Sequence, residues 1–182
     1  MSLSRRNSPY ANAGIVVTVD KHDFAPFEEY GVLSGMKYQQ SLEQHIFNQG
    51  KGDVKAPAQR LTDFMENRLS SSLNNTSYIP GLYSTHLNTL FPKAIIKALK
   101  KALPIFGRKM HGFYTNDANV IATESRTSAP VRIPRDPKSL MHMQVEGLYP
   151  CGEGAGYAGG IMSAALDGQN VAKKIVEKIL TL

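Results

Sequence analysis

Residues 147 to 160 read Gly-Leu-Tyr-Pro-Cys-Gly-Glu-Gly-Ala-Gly-Tyr-Ala-Gly-Gly, and a helical pattern then runs to Leu182. An apolar strand entering a glycine turn that opens a helix aims backbone N–H groups and a positive dipole end at one point. That suits an anionic or electron-rich ligand. Glycine removes the side chain that would hold such a ligand off the backbone. Gly154, Gly156 and Gly159 also spell G-x-G-x-x-G. In a dinucleotide fold that fingerprint begins a βαβ unit, with an acidic residue about 20 positions on. Here no second strand follows in the 182 residues, and no first glycine turn or ribose-binding acid precedes it. The residues alone leave two readings open: a ligand contact at the last strand and helix of a larger sheet, or a tight connection that needs glycine for its geometry.

Other residue types nearby could do chemistry. Glu153 sits inside the turn, either as a ligand contact or as an exposed loop carboxylate. Arg126 and Arg132 flank Ser125-Arg126-Thr127-Ser128-Ala129-Pro130-Val131, and an arginine fork suits a carboxylate or phosphate. Strand alternation would put Arg126, Ser128 and Pro130 on one side. Cys151 precedes the turn, where a thiol near a helix N-terminus can be reactive; a small packed residue is the expectation. Tyr149 and Tyr157 are suited to stacking or to ordinary packing. His22, His45, His86, His111 and His142 show no metal-ligand spacing, so no metal site and no catalytic triad are expected.

Composition narrows the class. Hydrophobic content of 42% and charged content of 20% are those of a globular protein. No apolar run approaches the roughly 18 residues of a membrane span. One cysteine excludes an internal disulfide and fits a reducing cytoplasm. The net charge of +6 is carried largely by lysines on helix backs and ends, such as Lys93, Lys97, Lys100, Lys101, Lys173, Lys174 and Lys178. No nucleic-acid-binding signature accompanies it, so no nucleic-acid partner is expected.

The elements that must hold these groups follow from periodicity. Gly14 to Val19 reads as a buried strand and Asp20 to Phe27 as a turn-rich exit. Met36 to Gln49 reads as a helix stopped by Gly50. Pro57 suits the first turn of a helix carrying Leu61, Phe64, Met65 and Arg68. Leu69 to Ser77 is a loop by composition. Thr85 suits the N-cap of a short helix with Leu87 and Leu90. Phe91 to Leu103 carries an i, i+4 apolar stripe, with Pro104 and Gly107 as its stop. Val120 to Thr123, Ala129 to Ile133 and Val145 to Tyr149 read as short strands. Ile161 to Ile179 closes the sequence as a helix with Ile161, Ala164, Ala165, Gly168, Val171, Ala172, Ile175, Val176 and Ile179 along one face.

The core "GLYPCGEGAGYAGGIMSAALDG", within Ser139 to Leu182, resembles the C-terminal flavin-binding segment of a group of largely uncharacterised bacterial FAD-dependent dehydrogenases. These belong to the flavoprotein superfamily with glutathione-reductase-like FAD domains. "ESRTSAPVRIPRD", "APAQRLTDF", "ALPIFGRKMHGF" and "SRRNSPYANAGIVVTV" are similar to further segments of that group. Members carry an N-terminal half with the first FAD-binding βαβ, which this sequence lacks. The resemblance therefore implies the C-terminal portion of a cytoplasmic FAD-dependent oxidoreductase acting on a small-molecule substrate. It implies that Gly152, Glu153, Gly154, Ala155, Gly156, Tyr157, Gly159 and Gly160 lie beside the flavin or its ribityl and pyrophosphate chain. Arg126 and Ser128 would face flavin or substrate, with Arg132 less directly placed. The implied fold class is α+β: an entry strand segment (1–20), a mainly helical inserted substrate or cap domain (21–118), and C-terminal strands, glycine turn and helix of the FAD-binding fold (119–182). The partner is the N-terminal FAD-binding half, and an orphaned strand at Val145 to Tyr149 would favour self-association. The competing reading is a stand-alone binding or interaction module with no flavin activity.

Overall fold

The computed structural model describes residues 5, 7–50 and 52–181. Met1 to Leu3, whose sequence fits either native chain or a leftover of expression, lie outside the described residues. The fold is α+β: four helices and a small mixed sheet. Two compact units emerge, one of residues 1–19 and 40–124, the other of residues 20–39 and 125–182.

In the first unit the sheet has the order β2-β1-β3. β1 (Ala56–Arg60) lies in the middle, parallel to β2 (Leu82–Ser84) and antiparallel to β3 (Asn119–Ile121). Only β3 matches an expected strand. Pro57, expected to open a helix, lies inside β1 instead. The Ala56 N–H donates to Gly81 O of the β2 side, while Pro57 O accepts from Ala122 N–H on the β3 side. The proline nitrogen thus faces the end of β3, past its last residue, where no ladder bond is lost. Nothing in Ala-Pro-Ala-Gln-Arg favours a strand by propensity. Burial on both faces decides it: Pro57, Ala58 and Gln59 are all buried.

α1 (Ser34–Gln49), α2 (Leu61–Glu66) and α3 (Lys93–Lys109) contribute the helices around this sheet. The core joins Ile46, Leu61, Phe64, Leu87, Leu90, Leu103 and Ala122, with Phe91, Ile96 and Leu99 packed against it. The α3 stripe is therefore the one its periodicity predicts. Its end is not. α3 runs through Pro104 to Lys109, and Phe106 packs edge-on against Phe113 at 5.9 Å. Gly107 is a contact rather than a stop: a Cβ there would fall 2.6 Å from the Tyr114 Cβ. Tertiary packing of the final turn outweighs the missing proline N–H. α2 ends at Asn67 (φ 58°), and the Lys100 ammonium donates to Met65 O and to Asn67 Oδ1. Burial holds that ammonium's pKa below the usual lysine value. Thr85 is not an N-cap. Its N–H donates to Ala58 O, and a single 3-10 turn spans Leu87–Thr89.

The run Gly14 to Val19, expected as a buried strand, forms none; Val16 and Val19 are exposed. β-branched residues make a strand only where another strand offers partners. The expected strands at Ala129 to Ile133 and Val145 to Tyr149 are absent for the same reason. At the latter, backbone groups are satisfied locally: His142 Nδ1 accepts from the N–H groups of Gln144 and Val145, and His142 N–H donates to Leu148 O. Asp20 to Phe27 is a turn as read, leading into a 3-10 stretch, Ala25–Leu33, interrupted at Gly31. α4 (Ile161–Leu180) closes the second unit; of its expected face Val171 is buried and Ala164, Gly168 and Ile175 are half-buried, whereas Ile161, Ala165, Ala172, Val176 and Ile179 are exposed.

Gln59 is the stitch of the first unit. It is fully buried; its Nε2 donates to Arg68 O at 2.5 Å, and its Oε1 accepts from Leu87 N–H at 2.8 Å. Gln59→Leu strands the buried Leu87 N–H and leaves the part-buried Arg68 carbonyl without this donor, so a loss of about 1–3 kcal/mol is expected in urea unfolding. A midpoint equal to that of the native chain would show that the amide holds nothing.

Candidate functional site

The glycine turn is a closed loop. Tyr157 N–H donates to Gly152 O at 3.0 Å and Gly156 N–H to Glu153 O at 2.9 Å. Gly152 (φ 69°) and Gly156 (φ 82°) take the left-handed backbone that glycine adopts without cost. The loop docks on the segment before it: Ile133 N–H donates to the carbonyl of buried Ala155 at 3.1 Å, and Tyr157 Oη donates to Ile133 O at 3.0 Å. A Cβ on Gly156 would lie 2.7 Å from Val131 O and 3.1 Å from Arg132 Cα. Gly156 is thus glycine because two backbones meet there.

One ion pair braces the loop. Arg135 Nη2 donates to Asp167 Oδ1 at 2.6 Å, and Nη1 donates to Asp167 Oδ2 at 3.0 Å and to Pro150 O at 2.7 Å. Asp167 Oδ2 also accepts from Gly152 N–H at 2.8 Å. The Arg135 side chain is 9% exposed and that of Asp167 14%. The guanidinium stacks 3.6 Å from the centre of the Tyr157 ring, with Arg132 over the same ring at 4.3 Å. The Arg135 hydrogen bond, opposed by burial and helped by Gly152 N–H, holds the Asp167 carboxyl pKa below its ordinary value. The same bond raises that of Arg135.

α4 begins where the loop ends. Gly160 N–H donates to Ser163 Oγ at 3.1 Å, and that hydroxyl donates back to Gly160 O at 2.9 Å. The N–H groups of Gly152, Gly156, Tyr157 and Gly160 are therefore all engaged within the chain and do not form an anion cradle. Gly154 and Gly159 differ. Both are exposed, neither has a left-handed φ, and a Cβ on either would meet nothing within 4 Å.

Beside the loop lies an open cleft of about 600 Å³ lined by Arg132, Pro134, Arg135, Pro137, Leu140 and Tyr157. The Asp136 carboxylate accepts from Lys138 N–H, Ser139 N–H and the Ser139 hydroxyl, which lower its pKa and fold the rim. Leu140 sits there at φ 59°.

Of the residues singled out in the sequence, Gly152, Glu153, Ala155, Gly156 and Tyr157 are brought together in this loop. Gly154, Gly159 and Gly160 form its outer edge. Arg126 and Ser128 lie exposed on irregular backbone, so strand alternation does not align them. Cys151 is exposed rather than packed. Among the described residues no cluster of three His, Cys, Asp or Glu side chains can hold a metal, and no helix is long and apolar enough to cross a membrane. Arg135 and Asp167 escaped the sequence reading. The available signal was Asp167 itself, a carboxylate beside Ala164, Val171 and Ile175 on an apolar helix face, which needs a buried cation.

Fold and site define an α+β domain built on a braced glycine loop and a closing helix. The chain belongs to the family described as FAD-dependent protein, C-terminal domain-like, which matches residues 1–127. That match ends before the glycine loop. The whole chain is also 43% identical over 180 residues to an uncharacterised protein of Clostridium beijerinckii, covering 98% of this chain and 33% of that protein. The chain thus spans about a third of the length of this curated relative.

Breaking the brace has a signed pH signature. The folded Asp167 carboxyl ionises below the unfolded value of about 4. Its contribution is complete above that value and is lost as the pH falls through the folded one. Asp167→Asn should cost about 3 kcal/mol at neutral pH and flatten the acid slope of stability below about pH 4. Chemical unfolding across pH 2–7 (roughly the carboxylate window) checks both, and an unchanged acid slope would acquit Asp167. Gly156→Ala should also destabilise, by about 2 kcal/mol or more, because the backbone of Val131–Arg132 must move.

Proposed function

We propose that this chain is the C-terminal, flavin-contacting and substrate-side portion of an FAD-dependent oxidoreductase. Its sequence resembles the flavoprotein superfamily with glutathione-reductase-like FAD domains, and its family description names FAD. The observation that carries the reading is the pair Gly154 and Gly159. Gly156 is glycine for internal reasons, since backbone crowds it. Gly154 and Gly159 have no such reason: their φ values suit any residue and their surroundings leave room for a side chain. Glycine at such positions suits a group from outside the chain that approaches the backbone closely.

On this reading FAD supplies hydride or electron transfer. The chain's own residues position it. The Arg135–Asp167 pair fixes the loop relative to α4, so Gly154, Gly159 and half-buried Glu153 are presented on a rigid edge. Glu153 would accept from ribityl hydroxyls. Arg132 and Tyr157 line the adjoining cleft, where the guanidinium suits an anionic group of the cofactor or of a small substrate. With Gly152, Gly156, Tyr157 and Gly160 N–H groups already bonded, this edge gives few phosphate donors. Most of the affinity for FAD would come from elsewhere in a longer polypeptide.

Two outcomes test this. The 182-residue chain should purify without the flavin absorption band at roughly 450 nm; stoichiometric yellow protein would contradict the division of labour. In a longer polypeptide carrying this domain, Gly154→Val or Gly159→Val should cut bound FAD per protein after desalting by about tenfold or more, a loss of ~1.4 kcal/mol. The same changes should leave the unfolding midpoint of the isolated chain within about 2 °C. Full flavin occupancy in the folded variants would make the loop a structural connection only and favour the non-flavin binding module.

A further inference from the structure

α4 is apolar on two sides, and only one of them is used. Its inner side carries Ala164, Asp167, Val171 and Ile175; Val171 is 4% exposed and Asp167 is clamped by Arg135. At roughly 100° per residue, Ile161, Met162, Leu166, Val176, Ile179 and Leu180 fall on a separate stripe about 140° wide. All six are exposed, from 90% at Ile161 and 71% at Met162 to 80% at Leu180. Exposed Ala165, Gln169 and Ala172 fill the positions between them, and Lys173 is the sole charge on the stripe. The helix has 20 residues, so this surface is about 30 Å long. An exposed apolar patch of this length marks an interaction surface.

We propose that the outer face of α4 is covered by the flavin-binding portion of the same longer polypeptide. This rests on the function proposed above. Two observations name the occupant. The family is described as the C-terminal domain of an FAD-dependent protein. The Clostridium beijerinckii relative matches this chain almost end to end, yet two thirds of its length lies outside the match. Charge disfavours a second copy, because each chain carries +6 and like charges repel across an interface. The stripe's near-lack of charge calls for an apolar sheet or helix face rather than an acidic peptide or a nucleic acid. The small residues Ala165 and Ala172 would let that face approach closely.

The test compares thiol labelling at two positions of one helix. In the 182-residue chain, on a Cys151→Ser background, Val176→Cys lies on the stripe and Asn170→Cys lies off it, exposed. Both should label at the same rate, with light scattering reporting a monomer. In the full-length Clostridium beijerinckii relative, a cysteine at the position aligned with Val176 should react at least about tenfold more slowly than one aligned with Asn170, because labelling then requires local opening. Hydroxyl-radical footprinting of the unsubstituted proteins reads the same helix if a cysteine variant fails to fold. Equal labelling in the full-length protein overturns the proposal. So does concentration-dependent protection of Val176→Cys with a dimer mass in the short chain, which assigns the face to a second copy. Bound flavin is measured in the same full-length sample. A protected position in flavin-free protein sinks the flavin reading alone, and equal labelling in a flavin-bearing protein sinks this proposal alone.

Discussion

Arg135 and Asp167 form the constraint on which the second unit depends. A carboxylate on the inner face of α4 is tolerable there only with a cation and further donors. Arg135 supplies the cation in a two-point fork, and Gly152 N–H supplies a further donor. In meeting that need the pair ties four pieces of chain together: the segment carrying Arg135, the Pro150 carbonyl, the start of the glycine loop and the closing helix. Stacking of the guanidinium on Tyr157 adds the far end of the loop. The glycine loop is rigid because of this brace, and any ligand edge it presents inherits that rigidity.

The brace also separates glycines that look equivalent in sequence. Gly152 and Gly156 take backbone angles that other residues reach only with strain, and Gly156 touches the neighbouring backbone. Their roles are met inside the chain. Gly154 and Gly159 face outward with room to spare. A G-x-G-x-x-G string therefore holds two kinds of glycine, one that the crowded backbone requires and one with open space around it. Most N–H groups that would make a phosphate cradle are spent on closing the loop, so this part of the molecule offers a surface of approach rather than a grip.

The first unit is organised differently. A fully buried glutamine amide joins the central strand to two neighbouring turns, and the apolar side chains of α1, α2 and α3 close around it. The family match contains all of this unit, together with residues 20–39 and 125–127 of the other. The second unit leaves a long apolar helix face open.

Helices were legible where periodicity was strong. The α1 region, the α3 stripe of Phe91, Ile95, Leu99 and Leu103, and the closing helix all follow from apolar spacing, because a helix satisfies its own backbone and needs only one face to bury. Membership of the FAD-dependent, C-terminal domain-like family and the α+β class were legible too. Strands were not. The β-branched run Gly14 to Val19 is no strand, whereas Ala56–Arg60, with a proline inside it, is the central one. A strand exists only through its partners, and partners are set by tertiary contact rather than by local propensity. The same holds for the end of α3, where Phe106 on Phe113 and Gly107 beneath Tyr114 carry the helix past Pro104. The sequence by itself determined the existence of the long helices, the apolar stripe of α3 and the positions of the glycines. Only the tertiary structure decided which strands pair, that the Asp167 carboxylate meets Arg135, and which glycines remain open, because each of these depends on groups distant along the chain coming within a few ångströms.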